Sequence, residues 1–123
     1  MRKYITLFFS VTFFIYACKG NKAPDGVIKH DKMVSLLTEV HIIDGGLYGF
    51  QQQPDTLYKY GAGKYLALFK RYDVDTAQFR KSMKYYATQP TELTAMYDQI
   101  LANLKAKTDS LNKIQIKNAV SPK

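Results

Sequence analysis

The sequence predicts an all-α protein, a small bundle of three to four helices behind a leader and a tether. Apolar side chains recur every three or four residues in four segments, the spacing of amphipathic helices. Two of those segments begin with helix-start signals, at Asp75 and at Pro90. The sequence has no strand-like alternation, internal repeat or long heptad run.

Residues 1–17 are predicted to be a signal peptide. Arg2 and Lys3 precede an almost wholly apolar stretch from Ile5 to Ala17, which is the layout of a secretory signal. As a helix this stretch would rise only about 20 Å, short of the roughly 30 Å hydrocarbon core of a bilayer. We therefore expect a leader that is removed and not a permanent membrane span.

Cys18, the only cysteine, directly follows this stretch. The segment Ile15-Tyr16-Ala17-Cys18 resembles the bacterial lipobox, although Tyr16 stands where a small residue is usual. The resemblance implies cleavage before Cys18 and covalent lipid, including palmitate, on that residue. The alternative is an ordinary signal peptide followed by a free thiol. Because two or more acyl chains anchor a protein firmly, we expect attachment to a membrane through Cys18.

Net charge narrows the class of partner. Loss of Arg2 and Lys3 with the leader leaves 16 basic against 10 acidic side chains, so the net charge falls from +8 to +6. A basic envelope protein meets lipid headgroups, lipopolysaccharide phosphates or acidic protein surfaces, and nucleic acid is not an expected partner. A solvated lysine-rich face is the alternative.

Three segments are predicted after the leader. Residues 18–29 are the lipidated cysteine and a tether, because two glycines and a proline interrupt a stretch without apolar periodicity. Residues 30–104 are the helical domain. Residues 105–123 are a basic, weakly amphipathic tail, which we expect to be helical only where a partner receives it.

The first helix is predicted from Asp31 to about Tyr48. Gly45-Gly46 indicates either its end or the close approach of another backbone. Polar residues on its far side are Lys32, Ser35, Thr38 and Glu39. One side collects the apolar residues Met33, Val34, Leu36, Leu37, Val40, Ile43, Leu47 and Tyr48.

The second helix is predicted from Thr56 to about Tyr72. Gly61 and Gly63 in its middle indicate a break or a close helix crossing, since glycine weakens a helix interior. Its expected buried face is wide and largely aromatic, consisting of Leu57, Tyr58, Tyr60, Tyr65, Leu68 and Tyr72.

The third and fourth helices have the clearest beginnings. Asp75 is predicted to cap the third, with Gln78 reaching back and Val74 packing on Phe79. Pro90 is predicted to open the fourth. The expected buried stripes are Phe79, Met83 and Tyr86 on the third helix, and Leu93, Met96, Tyr97, Ile100 and Leu104 on the fourth.

His41 and Asp44 form the most unusual pair. The helical wheel places Asp44 near the centre of the apolar face and His41 at its edge. A carboxylate in a core needs a partner, which could be this histidine, a tyrosine hydroxyl or a backbone amide from another helix. The pair is either a buried contact that fixes helix register or a functional group, which would be a metal half-site, a proton relay or the polar lining of a groove.

No catalytic or metal site is predicted. With Cys18 lipidated there is no free thiol, no Gly-x-Ser-x-Gly elbow occurs, and Gly61 to Leu66 has the wrong spacing for a phosphate loop. A metal lacks ligands, because His41 and Asp44 have no second ligating pair at helical spacing. We expect no cofactor besides the covalent lipid.

Tyr85 and Tyr86 are the other candidate site residues. They serve either as core and rim packing, the more frequent role of tyrosine on bundle helices, or as a surface that stacks on a ligand.

Three segments, DKMVSLLTEVHIIDG, FKRYDVDTAQFRKSMKYYATQP and LTAMYDQILANL, carry a resemblance to a known family. From about Val27 to Leu104 the chain resembles small lipoproteins of Bacteroidota described as a domain of unknown function, DUF4296. The resemblance implies a helical lipoprotein of the cell envelope and no particular enzyme activity. Residues 19–22 lack the acidic run that resembles a surface-export signal in such bacteria, which implies the periplasmic side of the outer membrane.

Two functions are expected from these observations. The first is a non-catalytic adaptor or accessory subunit of an outer-membrane protein complex, because an anchor, many tyrosines and a basic tail occur without catalytic residues. The second is a ligand-binding lipoprotein, with tyrosines and the pair His41 and Asp44 lining a groove for a glycan, lipid or small metabolite. An enzyme is not expected.

Overall fold

A computed structural model describes residues 23–50 and 54–120. They form four α-helices and no strand: α1, His30–Leu47; α2, Pro54–Arg71; α3, Thr76–Ala87; and α4, Pro90–Val120. A 3-10 turn, Tyr48–Phe50, follows α1. The prediction of a small all-α bundle is confirmed. None of these four helices is long and apolar enough to cross a membrane. The predicted signal peptide and Cys18 lie outside the described residues.

Helix α1 is the centre of the bundle, because it packs against both α2 and α4. Its buried residues therefore occupy more than one stripe, and they are Met33, Val34, Leu36, Leu37, Thr38 and Leu47. Thr38, predicted on the polar side, is buried and donates its hydroxyl to the Val34 carbonyl at 2.8 Å. Tyr48, predicted on the apolar side, is exposed. Both predictions were wrong, since they assumed that only one face of α1 was covered along its whole length.

Helix α2 runs unbroken through both of its glycines. A Cβ added to Gly61 would lie 3.3 Å from Leu47 Cδ1, so α1 and α2 approach closely here, one of the two predicted alternatives. Gly45 and Gly46 mark the end of α1, the first of the two predicted alternatives, because the helix ends at Leu47 and a Cβ at either glycine would meet nothing within 4 Å. The broad aromatic face is also wrong in part, since Tyr58 and Tyr60 are exposed.

Helix α3 begins with the predicted Asp75 cap. The Asp75 carboxylate accepts a hydrogen bond from the Gln78 backbone N–H at 2.7 Å. Val74 is buried and Phe79 packs against the same core. The Phe69 and Phe79 ring centroids are 4.9 Å apart, so α2 and α3 meet through aromatic rings.

The end of the predicted tether is part of the folded domain. Val27 and Ile28 are buried in the core, where a solvated linker was expected. Gly26, with φ of +77°, allows the turn that directs them inward, and the Val27 N–H closes it on the Pro24 carbonyl at 3.0 Å. The tether prediction is therefore wrong for residues 23–29, because so few apolar side chains give no periodic signal.

Helix α4 extends far beyond the bundle. Its 31 residues span about 46 Å, against about 27 Å for the 18 residues of α1. The predicted domain boundary at Leu104 is not a break in the helix, which continues through the basic tail to Val120. Every side chain from Lys105 to Val120 is exposed.

Candidate functional site

Asp44 lies on the last turn of α1, with 48% of its side chain exposed. The expectation that it sits in the apolar core is therefore wrong. Near the end of α1, the face that the helical wheel marks as apolar borders an open cleft instead of another helix.

Tyr65 of α2 is the partner of Asp44. Its hydroxyl donates a hydrogen bond to Asp44 Oδ1, so a tyrosine from another helix supplies the contact, one of the expected alternatives. Burial raises the pKa of Tyr65 to about 12, and the hydrogen bond to Asp44 and its negative charge add to the effect. At neutral pH Tyr65 is therefore a firm donor and Asp44 the acceptor.

His41 supports Asp44 only from a distance. Its Nδ1 lies 3.7 Å from Asp44 Oδ2, which is too long for a hydrogen bond. Its Nε2 is buried without a partner among the described residues, and its ring lies against Tyr97 with centroids 5.8 Å apart. His41 therefore makes no hydrogen bond to Asp44, and its ring lies against α4 instead.

Tyr85 and Tyr86 lie elsewhere and serve the core. Tyr86 is buried, and its hydroxyl donates to the Ile28 carbonyl at 2.7 Å. Ser82 Oγ accepts from the Ile28 N–H at 2.9 Å, so α3 satisfies both backbone groups of that residue. Tyr85 packs edge-on against Tyr86, with centroids 5.1 Å apart. The arrangement supports the packing role for Tyr86, and it does not bring these two tyrosines to Asp44.

An open apolar cleft of about 640 Å³ lies between the end of α1 and the first half of α2. Tyr48 and Tyr58 stand at it with 72% and 81% of their surface exposed, which is unusual for aromatic side chains. We call it the tyrosine cleft, and its described lining residues are Asp44, Leu47, Tyr48, Pro54, Tyr58, Gly61, Ala62 and Tyr65.

The sequence left open a groove lined by tyrosines and by His41 and Asp44, but it did not indicate where such a groove lies. The other alternative placed Asp44 and the aromatic residues of α2 in a closed core. Because Tyr48 and Tyr58 belong to different elements, no periodic signal indicates that they share a cavity. The useful signal was the glycine at position 61, which brings Leu47 of α1 close to α2.

The second unusual surface is on α4. Leu111 and Ile114 stand within about 80° of the buried Met96 and Ile100 on the helical wheel, yet they are 61% and 53% exposed. The apolar stripe that α4 buries in the bundle thus continues along the helix beyond it, where no described residue covers the stripe. A hollow of about 490 Å³ lies at its start, between Ile42 of α1 and Leu104 to Leu111 of α4. We call Leu104, Lys107, Leu111 and Ile114 the tail face.

Ionisable groups elsewhere have structural contacts. His30 Nδ1 lies 2.5 Å from Glu92 Oε1 and so links the first turns of α1 and α4. The Arg71 guanidinium and the Tyr72 hydroxyl both donate to the Glu39 carboxylate, linking α2 to α1. In the parts of the chain that the structure describes, no three His, Cys, Asp or Glu side chains are grouped to hold a metal ion.

Comparison with known proteins identifies one family for this chain. Residues 24–110 match the model of a family described as "Domain of unknown function (DUF4296)". The match begins where the chain enters the core and ends within the exposed part of α4. No curated protein and no solved structure matches the chain.

Proposed function

Because the chain belongs to the DUF4296 family, whose description states no activity, we propose a function from its sequence motifs and its described surface. We propose a non-catalytic adaptor of the cell envelope, anchored by lipid on Cys18, that docks onto a larger outer-membrane protein complex through the tail face. The bare continuation of the α4 stripe is the observation that carries this proposal.

The anchor would hold the domain close to its membrane. Ala23 already packs against the core, so only five residue steps separate it from Cys18. At about 3.3 Å per residue these steps span at most about 17 Å. The absence of acidic residues from 19 to 22 supports the periplasmic side of the outer membrane as the location.

The tail face has the composition of a docking helix. Its apolar side chains lie at the spacing that continues the packed half of α4, so a partner helix could extend the bundle. Lys107 within this face, and Lys113 and Lys117 beside it, form no ion pair with a described residue, whereas Lys105 pairs with Asp109 at 2.8 Å. The complementary partner is an apolar segment flanked by acidic residues.

Photo-crosslinking in intact cells tests this adaptor. A photoreactive amino acid at Leu111 is expected to give one defined adduct, and the same group at the exposed Leu66 of α2 is the control. Reversing the charge of Lys113 and Lys117 to glutamate should weaken the adduct at least several-fold, because acidic groups on the partner would be repelled. Reversal of Lys59 on α2 should not. Equal adducts at both positions, or none at Leu111, would contradict docking through the tail face.

A ligand-binding lipoprotein is the second candidate, favoured by the tyrosine cleft. The cleft is apolar, large enough for a small molecule, and has a single carboxylate in its described lining, which is the usual character of a ligand site. Its tyrosines are Tyr48, Tyr58 and Tyr65. A small molecule and a protein partner would use different surfaces, so the two functions are compatible.

A further inference from the structure

We propose that the tyrosine cleft binds an organic cation, with its positive group paired to Asp44 and its apolar body lying between Tyr48 and Tyr58. The inference rests on the second candidate function, the ligand-binding cleft, and is independent of the adaptor role. It adds the chemical class of the ligand.

Asp44 supplies the charge. Its carboxylate is the one acidic or basic side chain in the described lining, where the remaining groups are apolar or phenolic. The Tyr65 hydroxyl occupies Oδ1. Oδ2 accepts no hydrogen bond from a described residue, and the nearest basic atom is His41 Nδ1 at 3.7 Å. One carboxylate oxygen is therefore held in position, while no described residue donates a hydrogen bond to the other.

The cleft walls suit a cation with an apolar body. Tyrosine rings attract positive groups through the negative face of the π-system, and the attraction is stronger where water is partly excluded. Leu47, Pro54 and Ala62 supply apolar surface for the rest of the ligand. An anion would face the carboxylate without a compensating base, because no lysine or arginine is among the described lining residues.

The nearby lysines do not reverse the negative charge of the cleft. Lys64, next to Tyr65 in sequence, lines a separate hollow with Glu39 and Arg71. Although the protein is basic as a whole, with a net charge of +8, this cleft contains an acid and no base in its described lining. A negative site on a positive protein favours cations by local contact and not by long-range attraction.

Three probes with the same aromatic body and different charge test the proposal: 2-phenylethylammonium, 2-phenylethanol and 3-phenylpropanoate. The protein is used as the mature chain in zwitterionic nanodiscs, with ¹³C-labelled leucine and alanine methyl groups. The methyl signals of Leu47 and Ala62, which line the cleft, report binding. We expect saturable shifts with the cation at concentrations at least tenfold below those needed for the alcohol or the carboxylate.

Charge removal completes the experiment. Asp44→Asn keeps the shape and an acceptor for Tyr65, and it should reduce the affinity for the cation to that for the alcohol, at least tenfold. Asp98→Asn on α4 removes one exposed charge outside the described lining and should leave binding unchanged. Equal binding of alcohol and cation, or an unaffected Asp44→Asn, would overturn the cation proposal while leaving a ligand cleft. No methyl shift with any probe would overturn both. The probe series on the unsubstituted protein decides even if Asp44→Asn does not fold.

Discussion

Two groups of tyrosines in this small protein have opposite surroundings. On α3, Tyr86 is buried with its hydroxyl on the Ile28 carbonyl, and Tyr85 packs on its edge. At the junction of α1 and α2, Tyr48 and Tyr58 are mostly exposed around an open cleft. The first group closes the N-terminal segment onto the core, whereas the second leaves apolar surface uncovered. A tyrosine that bonds a buried backbone group contributes to stability, and one that lines an open cleft is available for binding.

The largest effect is expected at Tyr86. Tyr86→Ala removes a buried ring and leaves the Ile28 carbonyl without its donor, so the free energy of unfolding should fall by about 3–5 kcal/mol. Urea unfolding followed by circular dichroism measures the loss. Tyr60→Ala is the matched control, because Tyr60 is 58% exposed and outside the described cleft lining. Equal losses at the two positions would remove the distinction between the two groups.

The second-largest loss of stability is expected at Ser82, whose hydroxyl accepts the hydrogen bond of the Ile28 N–H. Ser82→Ala deprives the Ile28 N–H of its acceptor at 2.9 Å, and a buried donor left unpaired costs about 1–3 kcal/mol. Hydrogen exchange at the Ile28 amide should accelerate with the loss of stability. Ser35→Ala is the control, since the exposed Ser35 hydroxyl donates to the Asp31 carbonyl and accepts from no described N–H of another segment. Exchange at Ile28 that stays as slow as before would argue against a closing role for α3.

The parts of this fold that could be predicted from sequence are those determined within about ten residues. The Asp75 cap and the Pro90 start depend only on neighbours along the chain, and the structure confirms both. Thr38 and Asp44 depend on how many helices cover each level of α1. Thr38 is buried because α4 covers α1 at that level. Asp44 is exposed because, near the end of α1, the apolar side of the helix borders the tyrosine cleft. A helical wheel represents one helix and contains no information about its neighbours.

The site was harder to predict for the same physical reason. The aromatic composition of α2 was evident from the sequence. Whether each ring is buried or exposed depends on where α1 ends and on how closely α1 approaches α2 at Gly61. The pairing of Asp44 with a tyrosine hydroxyl followed from the cost of isolating a carboxylate, and it was one of the expected alternatives. Which tyrosine supplies it depends on how α1 and α2 pack against each other.

The third prediction concerns alkaline pH and the link between Asp44 and Tyr65. The raised pKa of Tyr65, about 12 against 10.0, stabilises the fold fully below pH 10, and that contribution is lost as pH rises toward 12. Asp44→Asn should lower this pKa only part of the way to 10.0, because burial is the largest cause and would remain. Phenolate absorbance during a pH titration measures it, with Asp98→Asn as the control. An unchanged titration of Tyr65 would contradict the contact.

The smallest effect on stability is expected at the most exposed tyrosine of the cleft, and it makes the sharpest contrast with Tyr86. Tyr58 is 81% exposed, so Tyr58→Ala should change the free energy of unfolding by no more than about 0.5 kcal/mol. The same substitution removes one aromatic wall of the tyrosine cleft and should weaken binding of 2-phenylethylammonium several-fold, as the Leu47 and Ala62 methyl signals would report. Tyr60→Ala, on the same helix, should change neither quantity by a comparable amount. A large loss of stability in Tyr58→Ala would mean that this ring supports the fold as Tyr86 does, and an unchanged affinity would mean that it is not part of the binding surface.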